Sequence, residues 1–161
     1  MRKHQQYLFV ENKEKGTLDR FISKLQNVKN KQKKFNITNK LIISYGLACA
    51  IKHLHKNQII HRNIKPSNIY LDSNLYPYLS DFYMAKQVEI DVSYKLAETT
   101  IEFMAPEFFK DYITNEHPFM IDVYSFGVTL FILVSESNPF ASKNPSDVFA
   151  ETLSGKRPEF P

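Results

Sequence analysis

Tryptophan is absent from this 161-residue sequence, cysteine occurs once, and there are only four glycines. The missing tryptophan carries no functional message. The lone Cys49 excludes an internal disulfide and fits a reducing compartment, so a cytoplasmic protein is expected. Gly16, Gly46, Gly127 and Gly155 cannot be arranged into a Gly-x-Gly-x-x-Gly turn. Long apolar runs are also missing. The most apolar segment, Val123 to Val134, is too short to span a bilayer, and Asp122 stands at its start. Met1 to Gln6 is polar and lacks the apolar stretch of a signal peptide. Arginine is scarce, with four against seventeen lysines. Six of the lysines (Lys24, Lys29, Lys31, Lys33, Lys34 and Lys40) share one stretch. Phe35 alone cannot supply the interleaved aromatics of a nucleic-acid surface, so this stretch reads as a solvated loop. Neither nucleic acid nor membrane insertion is expected.

What remains is an ordinary globular composition, 43% apolar and 24% charged with a net charge of +4. That is enough for one compact domain and its core. Tyr7 to Glu11 reads as a strand and Asn12 to Gly16 as a polar turn. Thr17 is placed to cap a short helix carrying Leu18, Phe21, Ile22 and Leu25 on one face. A longer helix is expected from about Asn39 to Asn57, with Leu41, Ile42, Tyr45, Ala48, Cys49 and Leu54 at helical spacing. Short extended pieces follow at Ile59-Ile60, Ile69 to Leu71 and Tyr78 to Ser80, punctuated by Pro66 and Pro77. Gln87 to Thr99 reads as a loop. Ile121 to Ser135 is apolar on nearly every side and is expected to be buried on all faces. Asn144-Pro145-Ser146-Asp147 opens a last short helix. The fold class is therefore mainly α with short β hairpins.

Four segments carry chemistry: His61-Arg62-Asn63-Ile64-Lys65-Pro66-Ser67-Asn68, then Asp81-Phe82-Tyr83, Met104-Ala105-Pro106-Glu107, and Asp122-Val123-Tyr124-Ser125-Phe126-Gly127. Taken singly, Lys65, Asn68 and Asp81 would be surface polar groups; their shared frame is what marks them. The four segments resemble, in order and spacing, the catalytic loop, the Asp-Phe-Gly motif, the end of the activation segment and the central buried helix of eukaryotic-type protein kinases. Lys65-Pro66 resembles the serine/threonine branch. Ser125-Phe126-Gly127 and Arg157-Pro158 resemble its tyrosine-kinase-like group.

The resemblance implies a kinase-like C-terminal lobe over residues 17–161, preceded by the last N-lobe strand and hinge over residues 1–16. It implies ATP and Mg²⁺ as cofactors and a protein substrate or docking partner. Asn63 and Lys65 would be the catalytic positions. Glu11, Lys65, Ser67, Asn68, Tyr70 and Asp81 would meet the nucleotide, with Asn68 and Asp81 on the metal, since carboxylate and amide oxygens suit Mg²⁺. Thr100 would hydrogen-bond near Lys65, and Asp122 would brace the loop backbone. Arg62 would hold a phosphorylated residue, for which Ser93, Tyr94 and Thr99 are candidates. His61 is expected to be a packed, hydrogen-bonded histidine.

The sequence departs from the family pattern at telling places. Asn63 stands where the family has the aspartate that accepts the substrate proton, a change that typically costs about 10²- to 10⁴-fold. Tyr83 replaces a glycine and is expected to restrict the pose of Asp81. Tyr70 replaces a small aliphatic residue and is expected to stack under a nucleotide or partly fill its pocket. Nothing before Tyr7 supplies a glycine-rich loop, a phosphate-gripping strand lysine or its helix glutamate. Nor does the chain reach the family's final helices, whose arginine would pair with Glu107. Half of the nucleotide cleft is therefore expected to be missing. A weakened kinase, a pseudokinase scaffold and the product of a decayed gene all fit this pattern.

Overall fold

The computed structural model describes residues 11–26, 35–88, 100–110 and 117–159. Most of the expected strand at Tyr7 to Glu11, the centre of the lysine-rich loop and most of the loop at Gln87 to Thr99 lie outside them. In chain order come β1 (Gly16–Thr17), α1 (Leu18–Gln26), α2 (Ile37–Lys56), β2 (Ile59–Ile60), β3 (Ile69–Leu71), β4 (Pro77–Leu79), β5 (Lys86–Gln87), α3 (Met120–Ser135) and α4 (Pro145–Leu153). One sheet has the order β1-β3-β4 and a second pairs β2 with β5. Both are antiparallel. The expected class, helical with small β elements, is what the structure has. Among the described residues, no helix is long and apolar enough to cross a membrane.

α1 buries Leu18, Ile22 and Leu25, with Phe21 edge-on to Phe35 at 5.3 Å between ring centres. Thr17 does not cap it. Thr17 is drawn into β1 opposite Tyr70, and its buried hydroxyl has no partner among the described residues.

α2 starts two residues earlier than its periodicity suggests. The Asn36 side chain accepts the Asn39 N–H at 3.1 Å, and the Asn39 side chain accepts the Asn36 N–H at 3.0 Å. This is a reciprocal capping box with asparagine at both positions. The buried stripe is Ile43, Leu47 and Ile51, whereas Leu41 and Tyr45 are 60% and 75% exposed and Cys49 is exposed. The helix carries apolar residues on several sides, so spacing alone does not select a face. Gly46 does, because β4 packs there. A Cβ at Gly46 would meet the Pro77 ring at 2.7 Å.

Pro77 belongs to β4 itself, opposite Leu71. β4 is the edge strand, where a missing N–H breaks no ladder bond. α3 packs on α2 but is not buried all round, since Met120, Val123 and Val134 remain about half exposed. α4 begins as expected, with Asn144 accepting the Asp147 N–H at 2.9 Å and proline following the cap. The main core joins α1, α2, β3, α3 and α4 through Leu18, Ile43, Leu47, Leu71, Leu133 and Val148.

Candidate active site

The loop from His61 to Asn68 runs between β2 and β3, pinned by the buried side chains of Ile60, Ile64, Pro66 and Ile69. Its backbone hangs on Asp122, in the first turn of α3 and wholly buried. Asp122 Oδ2 accepts the His61 N–H and Oδ1 the Arg62 N–H, each at 2.8 Å. His55 Nε2 lies 2.9 Å from Oδ2. Arg62 is held at φ 63°, a left-handed conformation that a side chain disfavours, and these bonds offset its cost. Its Nε donates to the Met84 carbonyl at 2.6 Å, tying the loop to the turn after Asp81.

His61 is fully buried beneath the loop. Its Nε2 lies 3.0 Å from the Ser80 carbonyl and its Nδ1 lies 3.3 Å from the Asn63 N–H. Those two partners fix one neutral tautomer, Nε2–H donating and Nδ1 accepting. Burial pushes the imidazole below its ordinary value, with Asp122, the Ser80 carbonyl and Asp81 opposing that shift. The Phe82 ring stands edge-on to it at 4.8 Å.

Ser80 links the loop to Asp81, donating both its N–H and its hydroxyl to the Asn68 carbonyl at 2.9 Å. Asp81 follows at φ 62° and ψ 63°. Its Oδ2 accepts Asn63 Nδ2 at 2.7 Å and Asn68 Nδ2 at 3.3 Å. Asn68 Nδ2 also donates to the Asn63 carbonyl at 2.9 Å, so its amide nitrogen is committed inward. Asn63 Oδ1 is buried without a partner among the described residues. Two residues beyond Asn63 on the same loop, Lys65 Nζ donates to Thr100 Oγ1 at 2.9 Å.

The structure thus brings Asn63, Asn68 and Asp81 into one cluster and joins Lys65 to Thr100. Ser67 is exposed and has no described hydrogen bond to the cluster. Glu11 is also exposed. It accepts from Lys13 at 2.7 Å, and Lys13 lies 3.8 Å over the Tyr78 ring. Tyr70 projects from β3, 37% exposed and opposite Tyr78, and does not fill an enclosed pocket among the described residues. Tyr83 is 90% exposed in the 3-10 turn Phe82–Met84, where no left-handed conformation is required; the left-handed residue is Asp81. Ser93, Tyr94 and Thr99 lie outside the described residues. Sequence reasoning missed the Asn63–Asp81 bond, the double donation from Ser80 and the part played by His55. Only His55 gave a signal, as a basic residue in the last turn of a helix.

No three His, Cys, Asp or Glu side chains among the described residues could hold a metal ion together. Asp81 with the Asn68 amide fits a hard cation only if other ligands come with it. That is how Mg²⁺ is bound alongside phosphates.

The family model described as the protein kinase domain matches residues 1–158. The chain belongs to the protein kinase family. It is 33% identical over 123 residues to a human cAMP-dependent protein kinase catalytic subunit, PRKX, covering 76% of this chain and 33% of the relative. It is 34% identical over 122 residues to the human putative serine/threonine-protein kinase PRKY, covering 76% of this chain and 42% of the relative. The leucine-rich repeat receptor-like serine/threonine/tyrosine-protein kinase SOBIR1 of Arabidopsis thaliana is 34% identical over 149 residues, covering 89% of this chain and 21% of the relative. The chain therefore spans less than half the length of each of these kinases.

Proposed function

We propose that this chain is a serine/threonine-type kinase domain that holds Mg–ATP at Asn68 and Asp81 and transfers phosphate to a protein hydroxyl slowly. Residues 17–161 act as the lower lobe and residues 1–16 as strand and hinge. The observation that carries the reading is the convergence of Asn63 and Asn68 on one oxygen of Asp81, with Lys65 of the same loop bonded to Thr100. The serine/threonine assignment follows the relatives' names and the Lys65-Pro66 pair.

When bound, Mg–ATP supplies the transferable phosphoryl group and the positive charge that partners Asp81. The chain's own residues position and stabilise charge. The Asp81 carboxylate and the Asn68 amide oxygen are the hard ligands. Lys65 offsets negative charge on the moving group. The exposed Tyr70 ring offers a stacking face. Asn63 stands where the family has its proton acceptor; its Oδ1, buried here and without a donor among the described residues, would accept the O–H of an incoming serine or threonine once a local movement exposes it. An amide oxygen orients that hydroxyl but does not take its proton, hence a rate about 10²- to 10⁴-fold below that of a site with a base.

Asn63→Asp tests this directly in a phosphotransfer assay with the full-length protein and a generic protein substrate. The expected result is a rise in kcat of about 10²- to 10⁴-fold with little change in KM for ATP. A second reading, a pseudokinase that binds partners without transferring phosphate, is favoured by the engagement of Asn63 with Asp81. No rise in kcat, with Mg–ATP binding intact, would select it.

A further inference from the structure

We propose that the Asn63 side chain is a positioning residue that takes the place of a cation at Asp81, holding the carboxylate in its site pose without metal. The inference rests on the same site as the proposed function, but it concerns the state without metal or nucleotide. Asp81 sits in a left-handed conformation at φ 62°, which aspartate tolerates better than most residues and which local hydrogen bonds to its side chain favour. Two amide N–H groups converge on Oδ2, from Asn63 at 2.7 Å and from Asn68 at 3.3 Å. The Asn68 nitrogen is shared with the Asn63 carbonyl, so the shorter, unshared bond comes from Asn63.

The amide orientation is set by this bond. Turned the other way, Asn63 would point an oxygen at the Asp81 carboxylate. As it stands, Oδ1 is left buried and unpartnered among the described residues. A buried acceptor without a donor is costly, so the orientation is retained because the contact with Asp81 outweighs that cost. An aspartate at this position would place two carboxylates where Nδ2 and Oδ2 now lie 2.7 Å apart. Such a pair must share a proton, take a cation or turn apart. Asparagine removes that requirement. Position 63 therefore trades the proton acceptor for a site that is assembled in advance.

The test is thermal unfolding of the full-length protein without nucleotide, in EDTA and in Mg²⁺, for the native chain, Asn63→Asp, and the exchange Asn63→Asp/Asp81→Asn. The native protein should melt at the same temperature in both media. Asn63→Asp should melt roughly 5–10 °C lower in EDTA and recover most of that in Mg²⁺. The exchange restores an amide-to-carboxylate bond with its polarity reversed. It should regain the native midpoint in EDTA, and should fold even if Asn63→Asp alone does not. The inference is overturned if Mg²⁺ raises the midpoint of the native protein as much as that of Asn63→Asp. It is equally overturned if the exchange recovers nothing. Neither result depends on whether Asn63→Asp gains phosphotransfer, so the two proposals stand or fall separately.

Discussion

Asp122 accepts the backbone N–H of Arg62 at 2.8 Å across 60 residues of sequence, joining the first turn of α3 to the loop that carries Asn63 and Lys65. Its other oxygen takes the His61 N–H at the same distance. The loop conformation, with Arg62 left-handed, is thus imposed by a buried carboxylate rather than by local turn chemistry. Asp122→Ala would strand two backbone donors in the interior and should destabilise the protein by about 3–5 kcal/mol. Asp122→Asn keeps one acceptor and should lose less. Urea midpoints for the three proteins, at constant slope, check the order.

Gly46 predicts a steric effect on the opposite side of α2. Alanine favours a helix over glycine by up to about 1 kcal/mol, so on propensity alone Gly46→Ala should stabilise. The Pro77 ring lies 2.7 Å from where that methyl would sit, and a ring cannot swing aside as a flexible chain end does. Overpacking should win, with a net loss of about 1–3 kcal/mol in denaturant unfolding.

His61 predicts a dependence on acid. Its folded value is depressed by burial, so the folded protein takes up this proton less readily than the unfolded chain. The stability linked to it is fully present above the ordinary value of 6.5 and falls as pH drops below that towards the lower folded value. Unfolding free energy should fall by up to about 1.4 kcal/mol per pH unit on this account. His61→Gln should be weaker at neutral pH but should show a shallower decline from pH 7 to pH 5.

Tyr83 was expected to constrain Asp81. The ring is instead 90% exposed in a right-handed turn, and the left-handed backbone lies two residues earlier, at Asp81 itself. Tyr83→Gly should therefore restore nothing to the site. It should cost about 0.5–1 kcal/mol through the greater freedom of the unfolded chain, seen as a small drop in the urea midpoint with an unchanged phosphotransfer rate.

Much of the architecture was legible in the sequence because local rules decide it. Asn144 with Pro145 opens α4, and β-branched or apolar pairs at Ile59-Ile60 and Ile69 to Leu71 form strands. The misread features are those that tertiary contacts decide. Tyr45 and Leu41 lie on an apolar helix side that the docking of β4 at Gly46 leaves exposed. Thr17 is claimed by a strand pairing with Tyr70 rather than by its own helix. At the site, the spacing of four motifs located Asn63, Lys65, Asn68 and Asp81. No spacing rule states that an amide in place of a carboxylate turns its nitrogen onto Asp81, because that depends on the backbone angle at Asp81.

The central claim, that Asn68 and Asp81 form a Mg–nucleotide site, is tested most directly by calorimetric titration of ATP into the full-length protein with and without Mg²⁺. Saturable binding that requires Mg²⁺, and that weakens at least about tenfold in Asp81→Ala, is the predicted result. Binding of equal strength in the native protein and in Asp81→Ala, or no binding to either, would contradict it.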